Sequence, residues 1–503
     1  MDYIATFDLG TTALKGALVS EYGEILHSCS LQISTIYGGD KLKDGGSEHK
    51  EQSPIEWFET FCKVSRRLVS ELNKNTDKDK EIVSVIFSGQ MQNTILVDKD
   101  GRNLMNSILY SDARAEAEAK EIIGKIGLSE IYAITKNNFD GSLPICKALW
   151  IKNNYPEIYK RIHKILISPK DYLIYKLTGK FCSDVVSCAT SGAMVFNSKL
   201  WSREIIEQSG NLLEHFPDIL YPEEIAGYVT IDANEQTGLP LGVKVYVGTG
   251  DAGATTLASG ITDSGDISIN LGTSGWVAVL SRETVSMEGV FNLPAVNKGF
   301  NINIVPLLNA GNVYSWAKNI FSKDEDEHKN LEYVISHSEV GSGGVMFLPY
   351  LLGERFPIMD GNIKGAFIGI TASTSRSDMA RATLEGVAMS IRQGLETMNK
   401  LDKAINKVSL IGGGAQSPIW CQILADVLDR DIYVYNNSDI LPAIAISAIV
   451  MASEKKIQPY DNFLKALKQD DKCIIYKLNK LNSNTYFELY NKYLKIYPAI
   501  KQI

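Results

Sequence analysis

The sequence predicts an α/β protein of two large domains, and three observations carry that expectation. The chain has 503 residues, more than one hydrophobic core usually serves. Short apolar runs ending in glycine-rich turns alternate with capped amphipathic helices, the pattern of sheets covered by helices. A strand, a Gly-Thr turn and a second strand occur at 3–19 and again at 268–277, half a chain later, as a duplicated architecture would give.

Composition agrees with that class: 45% apolar, 22% charged and 15 prolines. Net charge is −8 and no long basic run occurs, so a nucleic-acid partner is not expected. An anionic substrate stays open, because glycine turns bind phosphate without net positive charge. The seven cysteines (29, 62, 146, 182, 188, 421, 473) form no C-x-x-C, and the six histidines are scattered. Neither a zinc site nor a disulfide framework is expected; reduced thiols fit a cytoplasmic chain. The N-terminus lacks a basic and an apolar leader region, and the longest apolar stretch, near 443–452, is too short to cross a bilayer. That stretch reads as a buried helix, and no membrane partner is expected.

In chain order, residues 3–7 read as a strand, Asp8-Leu9-Gly10-Thr11-Thr12 as a turn and 14–19 as a second strand. A tip with two hydroxyls and exposed N–H groups can grip phosphate oxygens, and Asp8 can face a metal; turn geometry alone also favours Gly-Thr. Ser53-Pro54-Ile55-Glu56 is a capping box before an apolar helix stripe through Trp57, Phe61 and Leu68. Residues 73–81 read as a solvated loop, and 82–87 as a strand that ends in Ser88-Gly89-Gln90-Met91-Gln92-Asn93, a polar edge facing a ligand. Asp112 and Arg114 are either a surface ion pair or a pair that binds hydroxyls in a pocket. Ser168-Pro169-Lys170-Asp171 opens another capped helix, and Ser183, Asp184, Ser187, Thr190 and Ser191 form a small polar patch.

The central stretch Val247-Gly248-Thr249-Gly250-Asp251-Ala252-Gly253-Ala254 follows an apolar strand and precedes a helix start at Thr255. Three readings of Asp251 stand side by side. It caps a helix; it belongs to a G-x-G-x-x-G dinucleotide turn; or it is a catalytic base between two domains. At a helix N-terminus it is expected to stay ionised. The hairpin recurs at Asn270-Leu271-Gly272-Thr273-Ser274-Gly275, and two such hairpins can hold the phosphates of one nucleotide. Further on, Asn309-Ala310-Gly311-Asn312 precedes a helix, 323–329 is a solvated charge run, and a helix begins near Ser377. Strand 408–411 leads into Gly412-Gly413-Gly414-Ala415-Gln416-Ser417-Pro418, with Ser417 as N-cap. Three glycines let a flat ring or a phosphate lie on the backbone; a tight strand-to-helix turn is the plainer reading.

Together these residues resemble the FGGY family of carbohydrate kinases, over nearly the whole chain. The segments that carry the likeness are 7–12, 88–91, 169–173, 248–251, 271–274, 348–354 and 412–420. The resemblance implies two actin-like (ribonuclease H-like) ATPase domains with a cleft between them. Residues 1–246 would be the sugar-binding domain and 247–503 the nucleotide-binding domain. It implies ATP with Mg²⁺, a small-sugar substrate, and homodimers as the family's common assembly. By motif, Asp251 would be the base that takes the proton of the accepting hydroxyl. Gly10, Thr11 and Thr12, with Gly272, Thr273 and Ser274, would hold the phosphates, with Lys15 and Gly311 beside them. Asp8 and Asp251 would place Mg²⁺. Gly413, Gly414, Ala415 and Ser417 would border the adenosine. Gln90, Met91, Gln92 and Asp112 would meet the sugar.

The chain departs from the pattern of members acting on xylulose. Gln92-Asn93 replace His-Gly, Ala252 stands where Asn is usual, and Asp439-Ile440-Leu441-Pro442-Ala443 lacks a Gly-Ala pair. A pentulose such as D-xylulose is the first expectation, with gluconate or another polyol as the alternative. A nicotinamide-dependent oxidoreductase would use the central glycines but leaves both Gly-Thr hairpins unexplained. A non-catalytic actin-like filament protein leaves Asp251 and 90–92 without a purpose. The absence of G-x-x-x-x-G-K-[ST] excludes a P-loop kinase.

Overall fold

The computed structural model describes residues 2–38, 49–74, 80–322, 327–398, 407–435, 440–454 and 473–501. Parts of the expected loop at 73–81 and charge run at 323–329, together with Asp439 and 455–472, lie outside the described residues. The chain forms two compact units. The first comprises 1–258, 292–300 and 440–466, and the second 259–291, 301–439 and 467–503. The division expected at 246/247 falls inside a strand of the first unit.

The first unit is built on a mixed sheet of β1 (Asp2–Leu9), β2 (Ala13–Ser20), β3 (Ile25–Gln32), β4 (Glu81–Gly89), β5 (Ile225–Tyr228) and β6 (Lys244–Gly250). Their order is β5-β6-β4-β1-β2-β3. β1, β2 and β3 form an antiparallel meander, whereas β4 runs parallel to β1 and β6 parallel to β4. The central strands are almost continuously buried, as their mostly apolar runs suit strands covered on both faces. Helix α1 (Pro54–Lys74) lays Trp57, Phe61, Val64 and Leu68 on the sheet, and Phe61 meets Phe7 edge-on with ring centres 4.7 Å apart. A separate core within residues 96–216 includes α2 (Pro144–Asn154).

The second unit repeats the arrangement. Its strands β7 (Ile267–Leu271), β8 (Gly275–Ser281), β9 (Asn301–Leu307), β10 (Val408–Ile411), β11 (Ile432–Tyr435) and β12 (Cys473–Tyr476) lie in the order β9-β8-β7-β10-β11-β12. β7 pairs antiparallel with β8 and parallel with β10, as β1 does with β2 and β4. Each unit thus has an antiparallel three-strand meander followed by two parallel strands, β3-β2-β1-β4-β6 in the first and β9-β8-β7-β10-β11 in the second, as in the actin-like fold, and the recurrence of the hairpin reflects a repeat of this pairing pattern.

Two boundaries differ from expectation. The helix after the central stretch, Asp251–Ala258, begins at Asp251 itself rather than at Thr255. The apolar helices Leu441–Ala445 and Ser447–Ser453 belong to the first unit, where the former packs on β1 and β2. Leu441, Ala443, Ile444, Ala445, Ala448 and Ile449 are all buried there, so these helices have no polar face to give water. Residues 473–501 return to the second unit.

Candidate active site

Register alone assembles the first part of the site. Asp8 lies beside Ser88 and Ser88 beside Thr249; one step on, Leu9, Gly89 and Gly250 are neighbours. The carboxyl ends of three parallel strands thus deliver Asp8, the segment after Gly89 and Asp251 to one edge, where open α/β sheets present their ligands. Ser88 Oγ donates to Asp8 Oδ1 at 2.7 Å. Asp251 keeps some exposed surface, yet burial and the Asp8 charge push its pKa up to about 7. This corrects the expectation that the helix N-terminus would hold it ionised. The Ala252 N–H does lower it, but one amide does not offset desolvation and a second carboxylate. Asp8 is raised by burial as well, against the pull of Ser88 and of Lys15, its cross-strand neighbour on β2.

The hairpin tip is closed by Gly10 N–H donating to Ala13 O at 3.0 Å. The amides of Thr11 and Thr12 have no protein partner among the described residues, which suits them to phosphate oxygens. Beneath the tip lies a buried relay that the sequence did not disclose. Gln52 Nε2 donates to Thr11 O at 2.6 Å, while Gln52 Oε1 accepts from Gln90 Nε2 at 2.8 Å and Trp57 Nε1 at 3.1 Å. Gln90, expected at the sugar, is thus fully buried and supports the hairpin. Gln52 alone has no local signal; it sits one residue before a capping box.

Met91 packs against the turn that carries Asp251. A Cβ added at Gly250 would stand 2.3 Å from Met91 Sδ, so a side chain there would displace Met91 from that turn. Gln92 adopts φ 61°, unusual for a residue with a side chain, and donates from Nε2 to Ser142 Oγ at 2.7 Å. Asp112 and Arg114 are not a surface pair: their side chains are 0% and 3% exposed. Arg114 bridges Asp112 and Glu51, and Lys50 N–H donates to Asp112 at 2.7 Å. The charge-assisted bonds outweigh the burial of Asp112 and hold its pKa below the usual carboxylate value. Both of its oxygens accept from Arg114 or Lys50 N–H.

A second missed feature supports the Asp251 turn. Lys170 Nζ, fully buried, bonds Asp171 Oδ1 at 2.7 Å and Asp184 Oδ2 at 2.9 Å. Asp184 Oδ1 in turn accepts from Val186, Ser187 and, at 3.4 Å, Gly250 N–H. The signal was a Lys-Asp pair in the first turn of a helix, α3 (Pro169–Thr178), where a cation is not favoured by the helix dipole.

In the second unit, Gly311 N–H donates to Gly272 O at 2.8 Å and Asn312 N–H to Thr273 O at 2.9 Å. A Cβ on Gly311 would lie 2.4 Å from Gly272 O, so the close approach excludes any side chain. The amides of Thr273 and Ser274 point to no protein acceptor among the described residues. A Cβ at Gly413 would meet nothing within 4 Å, whereas one at Gly414 would strike Leu271 and Trp420 within 2.8 Å. Gly413 therefore borders open space and Gly414 packs inward, with Ala415 buried behind. Ser417 caps α4 (Pro418–Leu428) through Trp420 N–H at 3.2 Å and also donates to Glu332, so its hydroxyl is already engaged.

The donor set fits Mg²⁺ carried by a nucleotide. Among the described residues no cluster of three or more metal-binding side chains exists, but Asp8 and Asp251 provide two carboxylates whose raised pKa values a cation would relieve. Mg²⁺ commonly uses one or two carboxylates plus phosphates. Among the described residues no helix is long and apolar enough to cross a membrane.

Profiles described as the FGGY family of carbohydrate kinases match the chain twice, the N-terminal domain over residues 3–258 and the C-terminal domain over 267–443. The chain is 30% identical to a xylulose kinase of Staphylococcus xylosus over 505 aligned positions, covering 99% of this chain and 100% of that one. It is 26% identical to a gluconokinase of Bacillus subtilis, covering 86% and 84%. The solved structure of ligand-bound xylulose kinase from Lactobacillus acidophilus superposes with a TM-score of 0.89 at 25% identity, over 100% and 99% of the two chains.

Proposed function

Because the chain belongs to the FGGY family of carbohydrate kinases, and is therefore a phosphotransferase with an alcohol acceptor, we propose that it transfers the γ-phosphate of ATP to a hydroxyl of a pentulose such as D-xylulose. The observation that carries the proposal is the juxtaposition of Asp8, Met91 and Asp251 at the ends of three parallel strands of the first unit. Likeness along the full length to a xylulose kinase supports the choice of sugar.

In this reading the sugar lies on the first unit against Met91 and Gln92, and the nucleotide on the second. Asp251 accepts the proton of the attacking hydroxyl as its bond to phosphorus forms, and ADP leaves. The hydroxyl acidifies as its oxygen bonds to phosphorus, so a carboxylate relieved by the cation can still take the proton. The amides at 273–274 on the second unit offer donors to nucleotide phosphate oxygens, and those at 11–12 on the first unit offer donors of the same kind; such donors position a phosphoryl group in a loose transition state. Gly413 and Gly414 offer backbone surface to the adenosine, with Ala415 and Ser417 behind. Mg²⁺, held through Asp8 and Asp251, would supply charge neutralisation at the phosphates. The proposed location is the cytoplasm, where ATP is available, and the proposed assembly is the family's homodimer.

ADP release from ATP-Mg²⁺ across ketoses, aldonates and polyols tests this, with Asp251→Asn beside the wild type. A single ketose is expected to dominate, and the variant to lose about 10³-fold or more in kcat. Turnover that survives in the variant would remove Asp251 as base. The gluconokinase relative makes gluconate the second reading, and the same panel decides between them.

A further inference from the structure

Gln92 does not stand alone at the site. Its Nε2 donates to Ser142 Oγ at 2.7 Å, and Ser142 Oγ–H donates to Asp140 Oδ1, whose position is also fixed by Ser142 N–H at 2.8 Å. The chain of donors has one sense. It leaves Gln92 Oε1 and Asp140 Oδ2 as acceptors with no partner among the described residues. The loop is held firmly: Gly141 N–H donates to Glu116 Oε2 at 3.1 Å, and a Cβ on Gly141 would lie 2.4 Å from Glu116 N.

The neighbouring cations are committed elsewhere. Arg114 is clamped by Asp112 and Glu51. Lys147 is fully buried, donates to Leu109 O at 2.6 Å, and has its pKa lowered by burial to about 7. Asp140 is the exposed carboxylate of this chain of donors, while the exposed Glu116 is engaged by Gly141 N–H. An array of acceptors under negative charge receives hydroxyl donors and repels a carboxylate.

We infer that Asp140, acting through Ser142 and Gln92, sets the site for a neutral polyhydroxy substrate and against an aldonate. The inference rests on the reading above that Met91, Gln92 and Asp251 line the sugar site. Asp140 supplies the charge, and Ser142 passes its orientation to Gln92, which pays for its φ of 61° with a fixed amide.

The test is kcat/KM for D-xylulose, xylitol and D-gluconate in the wild type, Asp140→Asn and Ser142→Ala. Asp140→Asn is expected to raise the gluconate-to-xylulose ratio roughly tenfold, since removal of one like charge acts on the anion alone. Ser142→Ala is expected to raise KM for the neutral sugar several-fold, with kcat changed less, because Gln92 loses its orientation. An unchanged or lower ratio in Asp140→Asn, or a wild type that prefers gluconate, overturns the inference and leaves the kinase standing. A wild type that turns over none of the three sugars overturns the pentulose reading and this inference with it.

Discussion

Asp251 shows how a residue can be recognised by its surroundings and still be misjudged in its charge. Its place on a glycine-rich strand-to-helix turn was legible in the sequence. Its pKa was not, because the carboxylate of Asp8 arrives from a strand more than 240 residues earlier. The native pKa near 7 exceeds the unfolded value near 3.8, so the native state holds the extra proton between them. Stability from this group is therefore present at low pH and lost as pH rises through that window. Thermal unfolding without nucleotide or Mg²⁺ should show Asp251→Asn melting above the wild type at pH 8, with the gap closing near pH 5. Gly311 makes the complementary point for shape. Gly311→Ala forces a methyl to 2.4 Å from Gly272 O and should raise the KM for ATP about tenfold while sparing that for sugar. Initial-rate kinetics with each substrate varied in turn separates the two.

At the scale of elements, helix α3 was foreseen as a capped helix, and the structure gives it a capping box in which Ser168 N–H donates to Asp171 Oδ2 at 3.0 Å. What the sequence did not disclose is the use made of that helix. Its Ser168 Oγ donates to Gln90 O at 2.8 Å, and its Lys170 joins Asp171 to Asp184. One helix N-terminus thereby braces both the segment before Met91 and the Gly250 turn. Lys170→Met would leave two carboxylates buried without a cation and should cost ~3–5 kcal/mol, whereas Ser168→Ala should cost ~1 kcal/mol. Denaturant unfolding of the two variants measures the difference. Similar losses would mean that the buried triad adds nothing beyond the cap.

For the whole molecule, the late helices at 441–453 decide how much of the chain the first unit needs. They bury apolar side chains there although 181 residues (259–439), mostly of the second unit, separate them from Ala258. A chain ending at residue 439 should therefore lose the native packing of its first unit, seen as lost near-UV circular dichroism and gained dye binding. By itself the sequence determined the two α/β units, both Gly-Thr hairpins, the caps at Ser168 and Ser417 and the turn that carries Asp251. Each of these is written within about a dozen residues, through alternation, turn chemistry and cap geometry. Tertiary structure alone decided the burial of Asp112 and Arg114, the Gln52 and Lys170 networks, the raised pKa of Asp251 and the return of 441–453 to the first unit. The reason is physical: hydrogen-bond partners, desolvation and the field of other charges are set by groups that meet only in the folded chain.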